Sequence, residues 1–222
     1  MTKTGTALVT GAAGGLGGAV AQRLVAQGWR VVAPERGEPR DQGAGLTAVQ
    51  ADLFDPTDVA TADPAAPLRA VVNLVGGFGA GGRVHETPID DFEAQLRLNL
   101  RPTYLVTAAA LPHLIAAGGG SVVCVSSRAA LRPFSGAAGY ITAKSALLAL
   151  VSALAVEYRD DNVRVNAIVP SVIDTPANRA SQPNADYSRW VSPAEIADVI
   201  AFLCSDASAP MSGAQVPVFG RA

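Results

Sequence analysis

Cysteine, histidine and charge are all scarce in this 222-residue chain, and each scarcity removes a class of function. Two cysteines, Cys124 and Cys204, are too few for a disulfide framework, so both read as buried thiols of a cytoplasmic protein. His85 and His113 are the only histidines, and neither stands at a metal-ligand spacing, which argues against a metal site. Charged residues make up 16% of the chain and the net charge is −2, which leaves no basic surface for nucleic acid or an anionic membrane. Residues 1–5 carry no apolar signal segment, and no uninterrupted apolar run approaches a bilayer span. There is no internal repeat.

What is present is apolar residue, at 49%, enough for one sizeable core and a single domain over 1–222. Thr6-Ala7-Leu8-Val9-Thr10 reads as a short buried strand. It runs into Gly11-Ala12-Ala13-Gly14-Gly15-Leu16-Gly17, and a helix follows with Leu16, Val20 and Leu24 on one face. Strand, glycine turn and helix together form the setting in which a pyrophosphate rests on a helix N-terminus. The glycines let the backbone turn sharply and let a phosphate approach the amides. Arg30-Val31-Val32-Ala33 is a second strand, and Glu35 stands just after it, where a dinucleotide-binding fold places the acid that bonds the adenosine ribose. Between Arg36 and Gly45 there is no helical period, so a loop is expected in place of a crossover helix.

Leu46-Thr47-Ala48-Val49-Gln50 is the third strand, followed by Asp52, which suits either an adenine contact or a turn. Residues 68–74 are the fourth, ending in a glycine-rich loop over 75–82 that reads as a lid or a substrate-facing loop. Thr87 and Pro88 are expected to open one long helix with Phe92, Leu96 and Leu100 buried. Pro102 is expected to bend that helix near Leu98-Asn99, leaving Asn99 to serve the freed backbone or a water. Residues 120–127 form a buried strand ending in Ser126 and Ser127. Residues 163–169 are another strand, closed by Pro170. The polar segment 174–190 reads as mobile. Ser192-Pro193-Ala194-Glu195 is a capping box opening a helix through Leu203, and residues 215–219 are a last strand. The alternation predicts an α/β fold, a doubly wound and mostly parallel sheet of about seven strands.

Tyr140 and Lys144 lie four apart, one turn along a helix on a common face. A free tyrosine titrates near pH ~10, and a neighbouring ammonium favours its phenolate. The pair therefore suits acid/base chemistry near neutrality, with Ser127 converging on the same small molecule from the preceding strand.

Over almost its whole length the chain resembles the short-chain dehydrogenases/reductases. Thr10-Gly11-x-x-x-Gly15-x-Gly17 looks like that family's cofactor turn, and Asn99, Ser127, Tyr140 and Lys144 match its catalytic tetrad in identity and order. The resemblance implies that Tyr140 exchanges a proton with the substrate oxygen and Ser127 hydrogen-bonds it. Lys144 would lower the tyrosine pKa and hold the nicotinamide ribose, and Asn99 would position a water. It implies cofactor contacts from Gly11, Gly15, Leu16, Gly17, Glu35, Asp52, Leu53, Asn73, Gly76, Tyr140, Lys144, Pro170, Val172 and Thr175. The cofactor expected from Glu35 is NAD, with NADP the alternative that Arg36 favours. The substrate is a carbonyl or alcohol, and the assembly a homodimer or homotetramer.

The pattern is not complete. Asn73-Leu74-Val75-Gly76 stands where the family has Asn-Asn-Ala-Gly, and Pro170-Ser171 where it has Pro-Gly. The glycine loop and residues 174–179 and 185–190 look like dihydropteridine reductase, but that branch generally lacks the serine present as Ser127. Reduction of a quinonoid pterin is thus a second reading. A dinucleotide-binding regulator without turnover is a third, and the intact tetrad speaks against it.

Overall fold

Short runs of valine, isoleucine and alanine without polar alternation can only be satisfied where both faces of a sheet are covered. The computed structural model, which describes residues 5–38, 43–59 and 67–221, places seven such runs in one sheet of order β3-β2-β1-β4-β5-β6-β7. The strands are β1 (Thr6–Thr10), β2 (Arg30–Glu35), β3 (Leu46–Gln50), β4 (Leu68–Asn73), β5 (Gly120–Val125), β6 (Val163–Pro170) and β7 (Gln215–Val218). Every neighbouring pair is parallel. The helices are α1 (Gly15–Ala26), α2 (Pro56–Val59), α3 (Ile89–Asn99), α4 (Arg101–Ala116), α5 (Ala138–Glu157), α6 (Pro176–Ser181) and α7 (Pro193–Cys204). This is the doubly wound, Rossmann-like arrangement expected. The order reverses between β1 and β4, the switch point at which such sheets open a cleft.

The two faces carry separate cores. On one, Val20 and Leu24 of α1 pack with Ile196 and Ile200 of α7 against Val9 and Val31. On the other, Leu111 and Leu114 of α4 and Leu147 and Val151 of α5 cover Val71, Val122 and Val165. Burying each such side chain contributes roughly 1.5–3 kcal/mol. Helix α7 starts as expected, with Ser192 accepting from Glu195 N and Glu195 accepting from Ser192 N.

Several expectations are corrected. Pro102 does not bend one long helix. The helix stops at Asn99, Leu100 separates the two, and the proline sits in the first turn of α4, where its missing N–H has no partner to lose. The cap before α3 is Pro88, not Thr87, whose hydroxyl donates to the Gly82 and Arg83 carbonyls. Phe92, Leu96 and Leu100 are only half-buried, and Asn99 is the buried residue of that helix. The segment 174–190 contains α6 and a 3₁₀ turn where no element was expected, with an Asp174–Arg179 ion pair and a Tyr187–Trp190 ring contact. Between β2 and β3 no helix occurs among the described residues; part of the expected loop, 39–42, lies outside them, as do 1–4 of the N-terminal segment.

Helix α5 has the length and mean hydropathy, 1.6, of a membrane-crossing helix, although polar residues interrupt every apolar run. Here it lies on the sheet, with Ala143, Leu147, Leu148, Val151 and Leu154 buried. Both cysteines are unpaired and buried, and burial pushes both thiols up to about 12.

Candidate active site

The C-terminal ends of β1, β4, β5 and β6 bring the sequence-selected residues to one edge of the sheet. The turn after β1 is built for close approach. Gly11 has φ +69°, and a Cβ on Gly17 would sit 2.0 Å from the Gly11 carbonyl oxygen, so α1 meets the turn only with glycine there. Gly14 caps α1 without a side-chain hydrogen bond, leaving first-turn amides to an incoming anion. Beside it opens a cleft of about 1150 Å³ lined by Gly11, Glu35, Arg36, Leu53, Phe54 and Val75. A backbone cradle at a helix N-terminus beside an acid-lined cleft fits the pyrophosphate and ribose of a nicotinamide dinucleotide. Thr175, whose hydroxyl caps α6 by accepting from Asn178 N, has its methyl carbon within 3.1 Å of a Cβ placed on Gly15. The loop after β6 thus closes on the glycine turn, with Pro170 at its start and Val172 accepting from Val191 N at 3.2 Å.

Asp52 turns back on its own loop, accepting from Phe54 N at 3.0 Å, and lies 3.6 Å from the Arg36 guanidinium. That guanidinium also sits 4.8 Å over the Phe54 ring. Asn73 has its side chain within the core, donating to Thr107 Oγ1 at 3.0 Å and facing Cys124, rather than into the cleft. Its buried Oδ1 has no hydrogen-bond partner among the described residues.

Ser127 ends the β5 segment and caps a 3₁₀ turn, accepting from Ala129 N at 3.2 Å. The Tyr140 phenol, in the first turn of α5, feels the Ser127 side chain, which favours its phenolate. One turn on, buried Lys144 donates from Nζ to the Val125 carbonyl at 3.0 Å, and Ser126 donates to the Lys144 carbonyl at 2.8 Å. These two bonds lock α5 to the end of β5. Asn99 comes from the other side: a Cβ on Gly76 would lie 2.7 Å from Asn99 Oδ1 and 3.1 Å from Lys144 Nζ, so these three residues meet at one point. The glycine loop is tied down rather than free. Gly77 is held by Asn99, and Gly81 N donates to the Gly136 carbonyl at 2.7 Å.

The electrostatics differ from the expectation. Burial raises the Tyr140 pKa, and the Ser127 side chain opposes the shift; Lys144 exerts no resolved pull, its Nζ lying 5.8 Å from the phenol ring centre. Burial also drives the Lys144 ammonium down to about 8, with the nearby Cys124 acting against the shift. In this state the pair is two desolvated groups side by side rather than an activated phenolate.

Two contributors carry almost no signature in the sequence. Gln95, four residues before Asn99, accepts from its Nδ2 with the main-chain carbonyl at 3.1 Å and with Oε1 at 3.4 Å; helical spacing is the only signal of that pairing. Phe78 stands edge-on to the Tyr140 ring, centroids 5.2 Å apart, and is the only large side chain in the glycine loop.

A glycine cradle at a sheet switch point beside a Ser–Tyr–Lys cluster defines a nicotinamide-dependent oxidoreductase acting on a small molecule. A family model described as enoyl-(acyl carrier protein) reductase matches residues 11–220. The 2-(R)-hydroxypropyl-CoM dehydrogenase of Xanthobacter autotrophicus is 31% identical over 96% of this chain and 96% of its own. The 2,5-dichloro-2,5-cyclohexadiene-1,4-diol dehydrogenase LinX of Sphingobium indicum is 32% identical over 96% and 94%. A solved short chain dehydrogenase/reductase family protein superposes with a TM-score of 0.88 at 32% identity, covering 97% of this chain and 95% of that one. The chain belongs to the short-chain dehydrogenase/reductase family and is an NAD(P)-dependent oxidoreductase.

Proposed function

We propose that this enzyme interconverts a secondary alcohol and its carbonyl compound, with Tyr140 as the proton donor and acceptor. The observation that carries the reading is the placing of Tyr140 one helical turn from buried Lys144, whose Nζ is held at the end of the β5 segment that Ser127 terminates. A bound nicotinamide supplies or takes the hydride. Gly11, Gly15, Leu16 and Gly17 hold the pyrophosphate, Glu35 the adenosine ribose, and Leu53 and Asp52 flank the adenine. Gly76, Pro170, Val172 and Thr175 border the nicotinamide half, and Lys144 reaches its ribose. Ser127 hydrogen-bonds the substrate oxygen, and Tyr140 passes it a proton in reduction or removes one in oxidation. Asn99 shapes this corner through the glycine loop.

The raised Tyr140 pKa keeps the phenol protonated at neutral pH, the form reduction needs. Oxidation needs the phenolate and should quicken as pH rises. We assign one domain, a cytoplasmic setting consistent with two unpaired thiols, and a homodimer or homotetramer.

Turnover of a carbonyl and alcohol panel, followed by nicotinamide absorbance, tests the reading in wild type and Tyr140→Phe. The variant should lose roughly 10²–10⁴-fold in turnover with cofactor affinity little changed. Near-wild-type turnover in the variant would remove Tyr140 from the chemistry.

A further inference from the structure

The glycine loop over residues 76–82 has one bulky side chain, Phe78, and the space around it is restricted. A Cβ on Gly77 would meet Leu98 at 2.9 Å and one on Gly79 would meet Gln95 at 2.3 Å, so the loop lies flat on α3. Phe78 alone rises from it, 66% exposed, with its ring at 84° to the Tyr140 ring. Phe134, from the loop between β5 and α5, stands 6.3 Å from Phe78 and is 49% exposed. Leu131 in the same loop is 45% exposed. The two loops are joined where Gly81 N donates to the Gly136 carbonyl, an approach so close that a Cβ on Gly136 would lie 2.6 Å from the Gly81 oxygen.

Nothing in the folding of either loop requires these exposed rings, and keeping them out of the core forfeits burial. Arg128, from the same stretch, is turned away from them onto the Phe219 ring at 5.3 Å. A substrate whose reacting carbon sits at Tyr140 must therefore extend past two apolar rings.

We infer that Phe78 and Phe134 form the substrate-selecting wall of the site, and that it takes a ring-bearing ketone or its secondary alcohol. Edge and face contacts of the two rings recognise the flat ring of the substrate. This rests on the carbonyl/alcohol reading above and narrows it to a substrate class.

The test compares three methyl ketones, acetophenone, cyclohexyl methyl ketone and pyruvate, with NADH and NADPH. It uses wild type, Phe78→Leu, Phe134→Leu and the double variant, whose melting temperatures should match because both rings are exposed. Acetophenone should exceed pyruvate in kcat/KM by about 100-fold or more, with cyclohexyl methyl ketone between them. Each leucine variant should narrow that ratio about tenfold, chiefly through KM. Pyruvate equal to or better than acetophenone, or an unmoved ratio in the double variant, overturns the inference while leaving the oxidoreductase reading intact. Wild type that turns over none of the three, nor 1-phenylethanol in reverse, overturns the carbonyl reading instead. Saturation-transfer NMR of acetophenone then decides the wall. A transfer signal from the aromatic protons that disappears in the double variant upholds it, and no such signal with wild type overturns it.

Discussion

Asn99 holds Gly77 by both of its backbone polar groups. Gly77 N donates to Asn99 Oδ1 at 3.0 Å, and Asn99 Nδ2 donates to the Gly77 carbonyl at 3.0 Å. One side chain thereby satisfies both main-chain polar groups of a residue that lies outside sheet and helix, and it fixes the loop that carries Phe78. Asn99→Ala should leave both groups unpaired, an expected loss of about 1–3 kcal/mol where they are shielded from water. Amide exchange at Gly77 and its neighbours should accelerate and KM for substrate should rise. Exchange as slow as in wild type would mean that the loop is held by the Gly81–Gly136 bond alone.

The chain contains only two lysines, Lys3 and Lys144, so each can be followed separately. With lysine labelled at the ε carbon, NMR should show one signal titrating near pH 8, assigned by its loss in Lys144→Met. Because the folded-state pKa lies below the ordinary 10.5, the unfolded chain binds more protons between about 8 and 10.5. Wild type should therefore gain stability relative to Lys144→Met as pH rises through that window, by at most about 1.4 kcal/mol per pH unit. Below pH 8 the difference should be flat. Two signals that both titrate above about pH 10 would contradict the desolvated lysine.

Cofactor choice turns on Glu35 and Arg36. Glu35 lines the cleft, and a phosphate on the adenosine ribose would meet its carboxylate. Two like charges about 4 Å apart repel by roughly 4 kcal/mol at an effective dielectric of about 20, less where water screens them. Arg36 is engaged by Asp52 and the Phe54 ring, although an exposed pair of this kind contributes about 0–1 kcal/mol and yields readily. NADH should therefore exceed NADPH in kcat/KM, and Glu35→Ala should narrow the gap. A wild-type preference for NADPH would reverse the assignment and make Arg36→Ala the informative variant.

Assembly should follow from the outer faces of α4 and α5. Only 39% of the apolar window of α5 is buried within the chain. Tyr104 and Val156 are exposed, and a groove of about 830 Å³ lined by Leu96, Leu100, Tyr104, Ala146 and Leu150 runs between α3, α4 and α5. A helix apolar on more than its inward face is covered in the assembled protein. Light scattering at micromolar concentration should give a dimer or tetramer, and Leu150→Glu should shift it toward monomer. A monomeric wild type would refute this.

Much of the molecule is legible in local signals. β1 and β3 begin and end where their apolar runs do, and α7 starts at its capping box, because these signals act within a few residues. Pro102 misleads for the same reason: a proline in a helical pattern is compatible with a kink or with a new first turn, and only the path of the chain chooses between them. The segment 174–190 shows no element in its composition because its short helix and turn are accompanied by the Asp174–Arg179 and Tyr187–Trp190 contacts, which composition does not display.

By itself the sequence determined the parallel α/β sheet and the glycine turn and set Tyr140 one helical turn from Lys144, because strand patterning, turn chemistry and helical spacing act over a few residues; Asn99 and the tetrad came from the family resemblance. Only the tertiary structure decided that Asn99 clamps Gly77, that Asn73 faces the core, and that Phe78 leans on Tyr140. It also decided that burial governs Tyr140 and Lys144. Desolvation and side-chain direction depend on what distant segments bring alongside a residue, and no spacing within the chain records that.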